Sequence, residues 1–251
     1  MKHGAFVWYD LATTDLEAAS RFYQSVVGWT AEPVPEMSYT LLKIGETRAG
    51  GLRELPVHVR EAGVPPHWSG YIGVTDVDAS LAQAVAAGAT LRFGPEDIPG
   101  VGRFAIVTDP GGANFYLFTG SGEAAPEPGL MSPGHVGWHE LRVGDHDAAF
   151  GFYHGLFGWE RSRTFDMGPM GAYQLFSYQG ADRGGMMNAS GDMSPHWLFY
   201  FVVDGLEAAL ERVTAFGGTV LHGPQEVPGG AWVLAGTDPQ GARFALVSEK
   251  R

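Results

Sequence analysis

A chain of 251 residues exceeds the usual size of a single-core domain, and its make-up, 45% hydrophobic, 18% charged and 12% aromatic, is that of a globular protein. A formal charge of −12, with no run among the 16 basic residues, argues against nucleic acid or a membrane surface as partner, because both demand clustered Lys and Arg. The absence of cysteine removes disulfides, thiolate metal sites and cysteine nucleophiles; with neither a signal peptide nor an apolar span of about 18 residues, the chain reads as soluble and cytoplasmic.

The first β-like run covers residues 5–12. Thr14 and Glu17 then stand at capping-box spacing, and Leu16, Ala19, Phe22, Tyr23 and Val26 fall on one helical face that Gly28 ends. Beyond Pro33 and Pro35, two β-like runs at 39–44 and 49–55 flank the turn Gly45-Glu46. A Pro-rich connector at 64–67 leads into a strand at 71–74. A helix is predicted over 76–87, closed by Gly88, followed by strands at 90–93, 103–108 and 114–119, with Asp109-Pro110-Gly111-Gly112 turning the last pair. The order is strand, helix and three strands, performed twice. Residues 120–133 have linker composition and no periodicity, which sets domains at 1–120 and 134–251 around a linker at 121–133.

After the linker the pattern returns. Residues 137–159 align with 7–29 without a gap, Trp138 on Trp8, Tyr153 on Tyr23 and Trp159 on Trp29. Further landmarks follow in order: Tyr173 on Tyr39, Gly184-Gly185 on Gly50-Gly51, His196 on His67, Gly223-Pro224 on Gly94-Pro95, and Asp238-Pro239 on Asp109-Pro110.

These residues resemble the vicinal oxygen chelate proteins, which include glyoxalase I, extradiol dioxygenases, fosfomycin-inactivating enzymes and bleomycin-binding proteins. The matching features are a strand running into a D-x-x-x-A-x-x-F-Y-x-x-x-x-G-W helix, a second helix ending at Ala87-Gly88-Ala89 or Phe216-Gly217-Gly218, and an Asp-Pro-x-Gly turn before the final strand. The resemblance covers residues 4–119 and 134–248. It implies an α+β fold of two tandem domains, each built from two βαβββ modules whose curved mixed sheets enclose a cavity. Fold alone does not fix the chemistry.

Metal-dependent members of such a family place His, Gln or Glu on the first and last strands of the modules. Here the corresponding positions are Trp8, Gly70 and Tyr116 in the first half and Trp138, Leu198 and Ala245 in the second, with a fourth near Gly50-Gly51 and Gly184-Gly185. None is a metal ligand of that kind, so no metal and no cofactor is expected.

Strand alternation puts Trp8, Asp10 and Ala12 on one face, and Trp138, Glu140 and Arg142 on another, which the resemblance would turn toward the cavity. The tryptophans either line that cavity or plug it. Asp10 and Glu140, on half-buried strands, need a compensating partner: a structural ion pair or hydrogen bond, or else a ligand or acid–base role. Arg142 could serve Glu140 only by reaching along the strand. His67 and His196, both in Pro-His-Trp, either anchor the connector or act in acid–base or unconventional metal chemistry. His139 should face away. Tyr39, Tyr116 and Tyr173 could offer hydroxyls to a ligand, whereas Tyr23 and Tyr153 read as core. Trp232 and Arg103 occupy matching places after Pro-Gly, in a loop at the cavity mouth.

The leading expectation is metal-independent binding of a small apolar or aromatic molecule, as in sequestration or resistance, with no nucleic acid and no membrane partner. The alternative is an enzyme of the same superfamily using carboxylate acid–base chemistry or a relocated metal site. Fusion of two domains makes a monomer as plausible a state as a homodimer.

Overall fold

The computed structural model describes residues 2–35, 37–122, 128–189, 191 and 193–251; the centre of the predicted linker lies outside them. The first repeat runs β1 (Phe6–Thr13), α1 (Leu16–Val27), β2 (Thr30–Pro33), β3 (Tyr39–Ile44), β4 (Thr47–Glu54), α2 (Val57–Glu61), β5 (His67–Gly73), α3 (Val77–Ala86), β6 (Thr90–Ile98), β7 (Gly102–Thr108) and β8 (Asn114–Gly120). The second runs β9 (Val136–Val143), α4 (His146–Phe157), β10 (Glu160–Asp166), a short 3-10 turn, β11 (Ala172–Tyr178), β12 (Ala181–Asn188), β13 (His196–Val202), α5 (Leu206–Ala215), β14 (Thr219–Glu226), β15 (Trp232–Thr237) and β16 (Arg243–Ser248).

Each repeat makes one eight-stranded mixed sheet with the same order, β2-β3-β4-β1-β5-β8-β7-β6 and β10-β11-β12-β9-β13-β16-β15-β14. With the helices this is the α+β fold of two tandem repeats that the sequence predicts. Within a module the first strand pairs in parallel with the last, β1 with β4 and β9 with β12, a crossover that requires the intervening helix.

By contacts the chain forms two compact units, one of Met1–Trp8, Ser69–Glu127 and His139–Trp197, the other of Tyr9–Trp68, Pro128–Trp138 and Leu198–Arg251. Each unit therefore draws modules from both repeats. In the second unit α1 buries Ala19, Phe22, Tyr23 and Val26, with Phe22 edge-on to Phe244 at 5.4 Å. The Tyr23 hydroxyl donates to Asp238 Oδ2 at 3.2 Å and accepts from Trp68 Nε1 at 2.8 Å, while Trp29 Nε1 donates to the Gly134 carbonyl at 2.7 Å. The first unit repeats the arrangement: Tyr153 donates to Asp109 Oδ2 at 2.8 Å, Trp197 Nε1 to the Tyr153 hydroxyl at 3.0 Å, and Trp159 Nε1 to the Gly4 carbonyl at 2.8 Å. Each Asp also accepts a backbone N–H of its own turn, from Ala242 or Ala113 at 2.8 Å. Burial pushes both of these carboxyls up and both tyrosine phenols well above their usual range.

The helix cap differs from the sequence reading. Asp15, not Thr14, caps α1: its backbone is extended (φ −148°) and its Oδ1 accepts the Ala18 N–H at 2.9 Å. Asp145 caps α4 in the same way. Two short elements carry no sequence signal, β2 because none of its residues is buried and α2 because its five residues bury nothing. Among the described residues no helix is long and apolar enough to cross a membrane.

Candidate functional site

In the second unit the register of three strands builds one constellation. Parallel pairing sets Asp10 of β1 opposite Gly51 of β4, and antiparallel pairing sets Leu41 of β3 opposite the same glycine. Tyr39 lies two residues before Leu41 and shares its face, so the ring reaches diagonally over Gly51. Its hydroxyl donates to Asp10 Oδ1 at 2.7 Å. Asp10 is only 4% exposed, so this bond helps offset the cost of burying its carboxylate.

The first unit carries the same plan from the second repeat. Glu140 of β9 stands opposite Gly185 of β12, Leu175 of β11 stands opposite that glycine, and Tyr173 lies two residues earlier. Glu140 is 5% exposed and accepts from Arg142 Nε at 2.6 Å, so the ion pair does run along the strand. Carboxylate, guanidinium and phenol therefore share one region of the unit.

Other predicted residues fall elsewhere. Trp138 packs against an apolar cluster of Leu198, Tyr200, Val202, Ala245 and Val247 in the second unit. Tyr116, in the first unit, is buried, its ring 4.4 Å from Tyr71 and stacked on Phe104 at 6.2 Å. His67 and His196 are half-buried, and each places Nδ1 2.8 Å from a carbonyl two residues upstream, that of Pro65 or Ser194. Burial lowers the pKa of His67. Trp8 is half-buried on β1. Trp232 is not in a loop: it begins β15, pairs with Ser248, and carries the Arg251 guanidinium 5.0 Å from its ring centre. Arg103, its counterpart, lies in β7 and binds Asp78 and Asp97. His139 is buried, stacked on Phe6 at 4.2 Å, with Nδ1 2.8 Å from the Arg183 carbonyl.

The family's metal positions can be tested on this geometry. Those of the second repeat, Trp138, Leu198 and Ala245, offer no imidazole or carboxylate and belong to the one apolar cluster. Of those in the first repeat, Trp8, Gly70 and Tyr116, only Tyr116 has a side-chain oxygen, and its ring packs among aromatics. Among the described residues no three His, Cys, Asp or Glu side chains gather in a way that could hold a metal ion. The residues present do not fit the group that the fold would imply.

The carboxylates and tyrosines were legible in the sequence as candidates, whereas Gly51 and Gly185 stood there as repeat landmarks and as the neighbourhood of the fourth ligand position, not as places a side chain crosses. The recurring Gly-Gly inside a β-like run was the available signal, since glycine in a strand often marks a close approach.

Fold and site together define a duplicated βαβββ protein. The chain belongs to the Glyoxalase/Bleomycin resistance protein/Dioxygenase superfamily, whose family model matches residues 5–117 and again residues 132–246. Among its relatives it is 31% identical over 251 residues to "Putative glyoxylase CFP32" of Mycobacterium tuberculosis (strain CDC 1551 / Oshkosh), covering 98% of this chain and 95% of that one. It is 32% identical over 263 residues to the anthracycline biosynthesis protein DauV of Streptomyces sp. (strain C5), covering 97% and 93%. Among solved structures, the manganese-bound glyoxalase from Novosphingobium aromaticivorans superposes with a TM-score of 0.68 at 17% identity, covering 100% of this chain and 83% of that one. A variant of homoprotocatechuate 2,3-dioxygenase from B. fuscum in complex with HPCA gives 0.69 at 16%, covering 98% and 71%. At such identities the likeness is one of fold.

Proposed function

We propose that the chain binds a small apolar or aromatic molecule without a metal, in the manner of a sequestering or resistance protein. The observation that carries this reading is the apolar cluster of Trp138, Leu198 and Ala245 at the positions where metal-dependent relatives would hold their ion. Within the unit that holds this cluster, Trp232 adds flat, rigid surface and Asp10 and Tyr39 add polar groups to orient a ligand; the other unit, taken by itself, offers the same kind of mixture in Trp8, Glu140, Arg142 and Tyr173, as small-molecule sites do. The relative named for anthracycline biosynthesis supports a polycyclic aromatic ligand. Titration with quinizarin, a dihydroxyanthraquinone, and a panel of other quinones and polycyclic natural products should quench the fluorescence of the 7 tryptophans, with or without chelator. If none quenches fluorescence or raises the melting temperature, the reading fails.

A second reading rests on the 2.7 Å bond between Tyr39 and Asp10, a pairing suited to proton transfer in a metal-free enzyme. Turnover of a bound ligand that survives chelation and disappears in Asp10→Asn or Glu140→Gln would favour it over simple binding.

A further inference from the structure

The buried carboxylates of β1 and β9 each face a glycine across the parallel pairing, Asp10 opposite Gly51 and Glu140 opposite Gly185. Neither glycine has a positive φ, so backbone conformation does not demand it. Glycine weakens a strand and is kept where another group approaches closely. Here that group is a tyrosine. A Cβ on Gly51 would lie 1.9 Å from the Tyr39 hydroxyl oxygen and 2.8 Å from Asp10 Oδ1; on Gly185 it would lie 2.3 Å from Tyr173 Cζ and 2.6 Å from its hydroxyl oxygen. The preceding glycines do something else: a Cβ on Gly50 or Gly184 would strike the carbonyl oxygen of Tyr9 at 2.7 Å or of His139 at 2.1 Å, so those two admit the neighbouring strand.

We propose that Gly51 and Gly185 are positioning residues, notches in their strands that seat the phenols of Tyr39 and Tyr173 beside the buried carboxylates and thereby set how the ligand's polar groups are held. The proposal rests on the binding role given above to these faces. The obstacle to an alanine at position 51 includes the far end of a tyrosine side chain, which can swing away. Gly51→Ala should therefore fold while displacing the ring from Asp10. Gly50→Ala, which meets backbone, should not be tolerated so readily.

Two readouts separate the seating from the binding. The chain labelled with 3-fluorotyrosine gives a fluorine resonance for Tyr39, assigned through Tyr39→Phe. Gly51→Ala should move that resonance and leave those of distant tyrosines in place; an unmoved Tyr39 resonance overturns the proposal. Quinizarin affinity, followed by tryptophan fluorescence, should fall at least about 10-fold in Gly51→Ala but less than about twofold when the same change is made in Tyr39→Leu, where no ring needs the notch. Equal losses in the two backgrounds would mean that the glycine is merely structural. If Gly51→Ala does not fold, Tyr39→Leu/Gly51→Ala should, and Gly185→Ala read at Tyr173 is an independent copy of the test. Should neither quinizarin nor any other compound of the panel bind the parent chain, the binding reading falls, while the fluorine resonance still decides whether the notch seats the ring.

Discussion

Among single side chains, His139 carries the clearest pH dependence. Buried and stacked on Phe6, its imidazole is pushed by loss of solvation down to about 4 from the ordinary 6.5. A depressed imidazole pKa means that the folded chain resists protonation. The stability held by this residue is complete above about pH 6.5 and is lost as pH falls toward 4, a difference of about 3 kcal/mol. Replacement by Phe, which keeps the stacking, should flatten this acid limb in urea melts at pH 7 and pH 4.5; an unchanged limb would assign acid sensitivity to other groups. Strand alternation led to the expectation that the residue faces away from the cavity. Its burial was not legible, because alternation tells which face a side chain takes but not what covers that face.

At the scale of the element, cap chemistry is the sharpest test. Asp15 accepts the Ala18 N–H, whereas the capping-box reading placed that role on Thr14. Asp15→Ala should cost about 1 kcal/mol and Thr14→Ala much less, a contrast that denaturant melts of the two variants resolve directly; the reverse order would restore the sequence reading. Strongly periodic elements were legible: the face Ala19, Phe22, Tyr23 and Val26 is buried, and Gly28 ends the helix with φ +88°. The exposed strands β2 and β10 were not, since a strand without a buried face has no alternation to read. The Tyr39–Asp10 bond was foreseeable as one option for a buried carboxylate. Its route over Gly51 was not, because it depends on the register of three strands.

For the whole molecule, the hydrogen bonds that close each core join opposite repeats: Tyr23 to Asp238 and Trp29 to Gly134 in one unit, Tyr153 to Asp109 and Trp159 to Gly4 in the other. Fragments 1–121 and 128–251 made separately should thus lack cooperative unfolding and regain it when coexpressed, as followed by circular dichroism and calorimetry. Two independently melting fragments would contradict this. The sequence by itself determined the duplication, the α+β class, the family and the substitution of Trp, Leu and Ala at the usual ligand positions, since these depend on residue order and periodicity alone. Only the tertiary structure decided that Trp138, Leu198 and Ala245 share one apolar cluster, that Glu140 takes Arg142, and that each core is assembled from both repeats. These are contacts between residues far apart in the chain or choices among competing partners, and local pattern cannot fix either.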